Sequence, residues 1–226
     1  MKIKVVTDIL EQNDQLAEDI HSRLSAQKIF VVNLLGSPGC GKTTLLERTI
    51  ALLRHDIRMA VIEGDLFTAK DAERIERQGV PVIQINTSGG CHLNADMVDS
   101  VLEDLNLEQL DLLFIENVGN LVCPAEFNLG EDIKITVLSV TEGDDKPLKY
   151  PLIFRESRAT VLNKVDLVPY TDFDMAAAAR DIRGINPAIV LLPVSCRTGE
   201  GVADWCNWLK QQVYKKKMRG TANGGD

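Results

Sequence analysis

The stretch Leu34–Leu46, Leu-Leu-Gly-Ser-Pro-Gly-Cys-Gly-Lys-Thr-Thr-Leu-Leu, decides the reading of this chain. It follows the apolar run Ile29–Leu35 and carries Gly36, Gly41, Lys42 and Thr43 in the spacing G-x-x-x-x-G-K-[ST]. Between a buried strand and a helix, that spacing is a phosphate-binding loop. Its backbone N–H groups converge on phosphate oxygens, and the helix that follows offers its positive end to the same anion. Gly36, Ser37, Gly39, Cys40, Gly41, Lys42, Thr43 and Thr44 are therefore the candidate phosphate contacts. Lys42 brings a point charge to the β- and γ-phosphates and stabilises charge during hydrolysis, and the Thr43 hydroxyl takes a position on Mg²⁺.

Outward from the loop, apolar strands alternate with helical stretches. Arg58–Glu63, Pro81–Ile85, Asp111–Glu116, Ile133–Val140, Arg158–Leu162 and Ala188–Val194 read as further strands, with helices at Thr43–Leu53, Ala69–Gln78 and Gly199–Gln212. This order predicts an α/β fold: a doubly wound, mostly parallel sheet of P-loop NTPase type, with ligands at the carboxyl ends of the strands. Asp65 then lies beside the phosphates. It can hold Mg²⁺ through water or orient the attacking water, and the competing reading is a helix cap. Glu116 tips the fourth strand in the Walker B manner and completes the Mg²⁺ set with Thr43 and Asp65. Its E-x-x-G form departs from the more usual D-x-x-G, and Gly119 can still offer its N–H to a γ-phosphate.

Asn163-Lys164-Val165-Asp166 follows the sixth strand. An N-K-x-D tetrad there selects guanine: Asp166 accepts two N–H bonds from the base edge, Asn163 braces the loop and Lys164 lies along the base. Ser195-Cys196 matches loosely the segment that closes over the guanine. The expected ligands are thus GTP and GDP with Mg²⁺.

Among 226 residues, 45% are hydrophobic and 26% charged, the balance of a globular domain rather than a disordered chain. A net charge of −8 disfavours nucleic acid as main partner. No apolar run approaches a membrane span and no export signal is visible, which predicts a cytoplasmic protein without membrane contact. We expect residues 1–28 to form an N-terminal extension with Lys2–Thr7 extended and an amphipathic helix over Ile9–Leu24 carrying a surface His21. Residues 29–213 form the nucleotide-binding domain, and 214–226, with Lys215–Lys217 and a glycine-containing end, form a flexible tail.

A second constellation lies beside the Walker B strand. Cys91, His92 and Cys123 are ligands of the type that hold Zn²⁺ or Ni²⁺. Cys91 is expected at the start of the helix before that strand, and Cys123 in the loop after it. Three ligands are one short of a tetrahedral shell, so two chains pooling ligands across a twofold axis is one reading and incidental thiols is the other. The run Glu116–Cys123 would join γ-phosphate to metal.

Taken together, the G-S-P-G-x-G-K-T loop, E-G-D-x-x-T-x-x-D-A-x-R (Glu63–Arg74), G-G-C-H-L, E-N-V-G-N-L-V-C-P (Glu116–Pro124), D-K-P-L-K-Y-P (Asp145–Pro151) and N-K-x-D resemble the HypB family of nickel-insertion GTPases, SIMIBI-class P-loop proteins. The resemblance runs from Leu34 to Trp208. It implies slow GTP hydrolysis coupled to Ni²⁺ delivery into [NiFe]-hydrogenase, a homodimer favoured by GTP, and Cys91, His92 and Cys123 as the Zn²⁺ or Ni²⁺ site. It also implies a HypA-type nickel metallochaperone and the hydrogenase large subunit as partners. The N-terminal C-x-x-C-G-C site and histidine-rich tract of some members are not found in this sequence, which starts Met-Lys-Ile-Lys-Val-Val, so loading is expected to depend on another protein. The related urease-maturation GTPases carry a C-P-H motif, whereas here Cys123-Pro124 is followed by Ala125. The remaining alternative is a metal-binding scaffold that GTP merely stabilises.

Overall fold

Alternation along the first strand, β1 (Phe30–Leu35), sets the layers of the molecule. Phe30, Val32 and Leu34 are buried against α2 (Lys42–Leu53) and α9 (Val202–Ala222). Val31 belongs to the core under α1 (Lys2–Ala26) and α4 (Ala95–Leu102), and Leu35 to a third cluster under α7 (Pro151–Glu156) and α8 (Met175–Ile185). With period 2 along the strand, both faces are apolar, as a parallel sheet covered by helices on each side requires. The computed structural model describes residues 2–66 and 69–222, with residues 2–8 and 219–222 as backbone alone.

The other strands are β2 (Met59–Asp65), β3 (Val82–Asn86), β4 (Leu112–Glu116), β5 (Ile133–Ser139), β6 (Ser157–Asn163) and β7 (Val190–Pro193). Short helices α3 (Lys70–Glu76), α5 (Cys123–Glu126) and α6 (Lys146–Lys149) complete the chain. The seven strands lie in the order β3-β2-β4-β1-β5-β6-β7 and every pairing is parallel. The expected doubly wound α/β sheet is thus present, all parallel rather than mostly so. Register decides what meets at the carboxyl edge. Leu34 pairs with Glu116, Glu63 with Glu116, and Ser139 with Asn163.

Both ends of the chain differ from expectation. Lys2–Thr7 is helical, not extended, because no glycine or proline interrupts the sequence before Gly36 and α1 runs back unbroken to Lys2. Ala17, Ile20 and Leu24 are its buried face, whereas Ile9 is exposed. His21 is not a free surface group: its Nδ1 lies 3.3 Å from the carbonyl of Gly130 and its Nε2 3.2 Å from Ser25 Oγ. The segment expected to fray after residue 213 continues as helix to Ala222, and residues 223–226 lie outside the described residues. Lys216 is bonded to Ser25 and Asp132, and Lys217 to Asp111 at 2.7 Å, so α9 is tied to the lower end of the sheet. Among the described residues, no helix is long and apolar enough to cross a membrane.

Val202, Trp205 and Leu209 form the buried face of α9, as their spacing predicts. The Trp205 indole N–H donates to Thr49 Oγ1 on α2 at 2.8 Å. A buried donor deprived of its acceptor keeps its desolvation cost. Replacing Thr49 by Val should therefore lower unfolding free energy by about 1–3 kcal/mol, read from the denaturant midpoint, with nucleotide affinity unchanged; an unaltered midpoint would contradict this role for the hydroxyl.

Candidate nucleotide and metal site

The loop after β1 has the shape its sequence demands. Gly36 has φ +149°, and a Cβ there would stand 2.4 Å from the Val137 carbonyl oxygen, so no side chain fits. Lys42 is buried with its Nζ donating to the Gly36 carbonyl at 3.3 Å, which holds the ammonium across the loop. Thr43 Oγ1 donates to Glu116 Oε1 at 2.9 Å, joining the start of α2 to the tip of β4.

Register brings a residue that the sequence did not single out to the same place. Glu63 on β2 stands beside Glu116, both are buried, and each leaves Oε2 without a hydrogen-bond partner. Burial first, then the neighbouring Glu116 carboxyl, pushes the Glu63 pKa up to about 11. Burial raises that of Glu116 also, against the pull of Lys42. Two buried carboxyls facing one cleft are kept neutral by protons or by a cation. These orphan oxygens and the Thr43 hydroxyl fit a hard divalent ion such as Mg²⁺. In the E-x-x-G form found here, the glutamate accepts directly from the Thr43 hydroxyl.

Asp65 ends β2 and lines the same cleft of about 440 Å³, with Gly119 and Lys42. Its alternative as a helix cap does not hold, because the residue before α3 is Ala69. Arg74, also unforeseen, reaches into this cleft from α3. It donates to Thr44 Oγ1 at 3.0 Å, to Glu47 at 2.6 Å and to Asp71 at 2.8 Å.

An adjoining pocket of about 430 Å³ shares Gly41, Thr44 and Lys164 with the first and is lined by Asn163, Asp166 and Cys196. Asn163 Nδ2 donates to the Cys40 carbonyl at 2.9 Å, and its Oδ1 accepts from Lys164 N at 2.8 Å, the bracing its place in N-K-x-D predicts. Lys164 takes φ +63° and donates from Nζ to the Gly39 carbonyl at 2.7 Å. Ser195 Oγ donates to Asp166 Oδ1 at 2.5 Å, and Cys196 N points to Asn163 Oδ1 at 3.4 Å. Arg48, not read from the sequence, fixes this loop by donating to the Cys196 carbonyl at 2.8 Å. Burial pushes the Cys40 and Cys196 thiols up to about 11, so neither is a thiolate at neutral pH. A larger cleft, about 720 Å³, opens at the amino ends of β5 and β6 beneath α1, and none of the predicted site residues lines it.

The ligand atoms of Cys91, His92 and Cys123 lie within 4.8 Å of one another. Cys91 Sγ and His92 Nδ1 are 3.5 Å apart. Bonds of about 2.3 Å to sulfur and 2.0 Å to nitrogen at a tetrahedral ion span nearly that edge. Cys91 does not start the helix: it sits in the preceding loop, and α4 begins at Ala95 under the cap of Asn94, whose side chain accepts from Met97 N. Burial lowers the His92 pKa, against Glu126, so the imidazole is neutral and able to ligate. A hydrogen bond with Cys91, and then burial, raises that of the Cys123 thiol. The metal loop is strapped to the β4 tip by Asn117, which is buried. Its Oδ1 accepts from Leu93 N at 3.1 Å, one residue past His92, and its Nδ2 donates to Asn33 at 3.2 Å.

Comparison with known proteins identifies the family. Residues 30–192 match the family described as "CobW/HypB/UreG, nucleotide-binding domain". The chain is 50% identical over 210 residues to the hydrogenase maturation factor HypB of Escherichia coli strain K12, covering 93% of this chain and 72% of that protein. It is 40% identical over 214 residues to the hydrogenase/urease maturation factor HypB of Helicobacter hepaticus, 93% and 88% of the two chains. It is also similar to the crystal structure of HypB from Helicobacter pylori in complex with nickel, with TM-score 0.85 and 38% identity over 90% of this chain and 96% of that one.

Thiol protons compete with a metal for the same sulfur. Because the Cys123 thiol is held protonated at neutral pH, Ni²⁺ should bind more tightly as pH rises, by about tenfold per unit for each thiol proton displaced. Titrations of the nucleotide-free protein at pH 6.5 and pH 8.0 test this. Equal affinities would mean that the thiols are not the ligands.

Proposed function

The chain belongs to the CobW/HypB/UreG family of nucleotide-binding proteins, on its HypB side, and from that premise we propose that it hydrolyses GTP slowly to time the delivery of Ni²⁺ during [NiFe]-hydrogenase maturation. The observation that carries this reading is the short span from Glu116 to Cys123, which has a phosphate-cleft carboxylate at one end and a soft-donor ligand at the other. Names of relatives in Escherichia coli and other bacteria point the same way.

In the proposed reaction, Lys42 and the loop amides hold the β- and γ-phosphates and stabilise the charge that develops on them. Thr43, Glu116 and Asp65, joined by Glu63, would hold Mg²⁺. That ion supplies charge neutralisation at the β- and γ-oxygens when bound. Asp65 or a group from a second chain orients the attacking water, and Gly119 offers its N–H to the γ-phosphate. Asp166, oriented by Ser195, accepts the guanine N–H pair. Ni²⁺ is cargo in this scheme, with Zn²⁺ the competing ion at Cys91, His92 and Cys123. Two chains pool those ligands in a GTP-favoured homodimer, a HypA-type metallochaperone loads them, and the hydrogenase large subunit receives the metal. The "hydrogenase/urease" name of the Helicobacter hepaticus relative favours a second reading, delivery to urease by the same switch.

A metal-binding scaffold would not depend on Lys42 for turnover. Lys42→Ala should lower GTP-dependent phosphate release by on the order of 100-fold or more, and Asp166→Asn should lower the preference for GTP over XTP by on the order of 100-fold or more. Phosphate release that is unchanged in the Lys42 variant would contradict the switch.

A further inference from the structure

We propose that Asn120 is the positioning residue that carries the state of the phosphate loop to the soft-donor metal site. The inference rests on the coupled switch proposed above and names the joint through which it acts. The Asn120 backbone N–H donates to the Gly36 carbonyl at 3.1 Å, forming an isolated antiparallel bridge with the first glycine of the phosphate loop. Its side chain turns the other way. Nδ2 donates to the Cys91 carbonyl at 3.3 Å, and Oδ1 accepts at 2.9 Å from the N–H of Val122, the residue before Cys123. One residue therefore holds the phosphate loop on its backbone and both cysteine segments on its amide.

The preceding residue cannot give way. A Cβ on Gly119 would stand 2.8 Å from Pro38 N and Cγ, so the Gly119–Asn120 backbone lies flush on the loop and follows it. A second link, from Asn117 to Leu93, is of another kind. All of its partners are buried, so remaking it leaves polar groups unpaired in the interior. The Asn120 amide bonds lie near solvent, where water can replace either partner at little cost. Asn117 is a strut, and Asn120 is the joint that can take two settings. An amide is suited to this, since it donates to one cysteine segment while accepting from the other.

The test is a Ni²⁺ titration of the full chain loaded with GDP or with a non-hydrolysable GTP analogue, read by thiolate-to-nickel absorption. Wild type is compared with Asn120→Ala and Asn120→Asp. The aspartate keeps the acceptor for Val122 N and lacks the donor to Cys91, and its added charge cancels in the ratio between nucleotide states. Wild type should show Ni²⁺ affinities that differ by about fivefold or more between the two states. Both variants should bring that ratio within about twofold while the GTP analogue still binds within about threefold of wild type. A residue with a merely structural role would weaken Ni²⁺ binding equally in both states. A ratio retained in the variants overturns the assignment of Asn120 alone. A wild-type ratio of one overturns the switch and this assignment with it.

Discussion

Gly119 lies on Pro38 with no room for a single methyl group, and the site depends on that contact. It presses the loop after β4 against the loop after β1, so the tip of one strand and the phosphate cradle of another act as one body. The contact follows from the sheet. β4 is hydrogen-bonded between β1 and β2, which brings Leu34, Glu116 and Glu63 into one row at the carboxyl edge. Packed interiors move between discrete arrangements rather than deforming smoothly, and the coupling proposed above draws on that property.

Electrostatics sharpen the same point. Glu63 and Glu116 are two buried carboxyls with an unpaired oxygen each, beside a single buried lysine. Water cannot repay their desolvation, so burial favours the protonated forms, and a bound cation would offset the same cost. Seven residues along the chain, from Glu116 to Cys123, the side chains change from hard oxygens to thiols and an imidazole. In the function proposed here, hard and soft ions would be sorted to opposite ends of one loop by ligand type.

The parts legible in the sequence are those whose function is local. The glycine-lysine-threonine spacing, the N-K-x-D tetrad and the C-H pair each place several candidate atoms within a few residues; the first two lie in the expected loops, and the C-H pair lies in the loop before α4 rather than at the start of that helix. Glu63, Arg48 and Asn120 escaped because partners that matter are far away in sequence: Glu63 meets Glu116 only through strand register, Arg48 meets Cys196 across the fold, and Asn120 meets Gly36 across 84 residues by an isolated bridge. Glu63 left one faint signal, its place in an acidic tip at a strand end. The ends of the chain were misread for a related reason. Lys2–Thr7 carries β-branched residues that suggest a strand, and Lys215–Lys217 carries charge that suggests fraying. The former continues an uninterrupted helix, and in the latter Lys216 and Lys217 find carboxylates on the sheet.

The most direct test of the account is Cys123→Ser, with Ni²⁺ uptake and molecular mass measured together by light scattering in the GDP- and GTP-analogue-bound states. The account predicts that both Ni²⁺ uptake and nucleotide-favoured pairing are lost or strongly weakened, with guanine nucleotide still bound. If both survive unchanged, the loop does not join the two ligands, and the coupling proposed here is wrong.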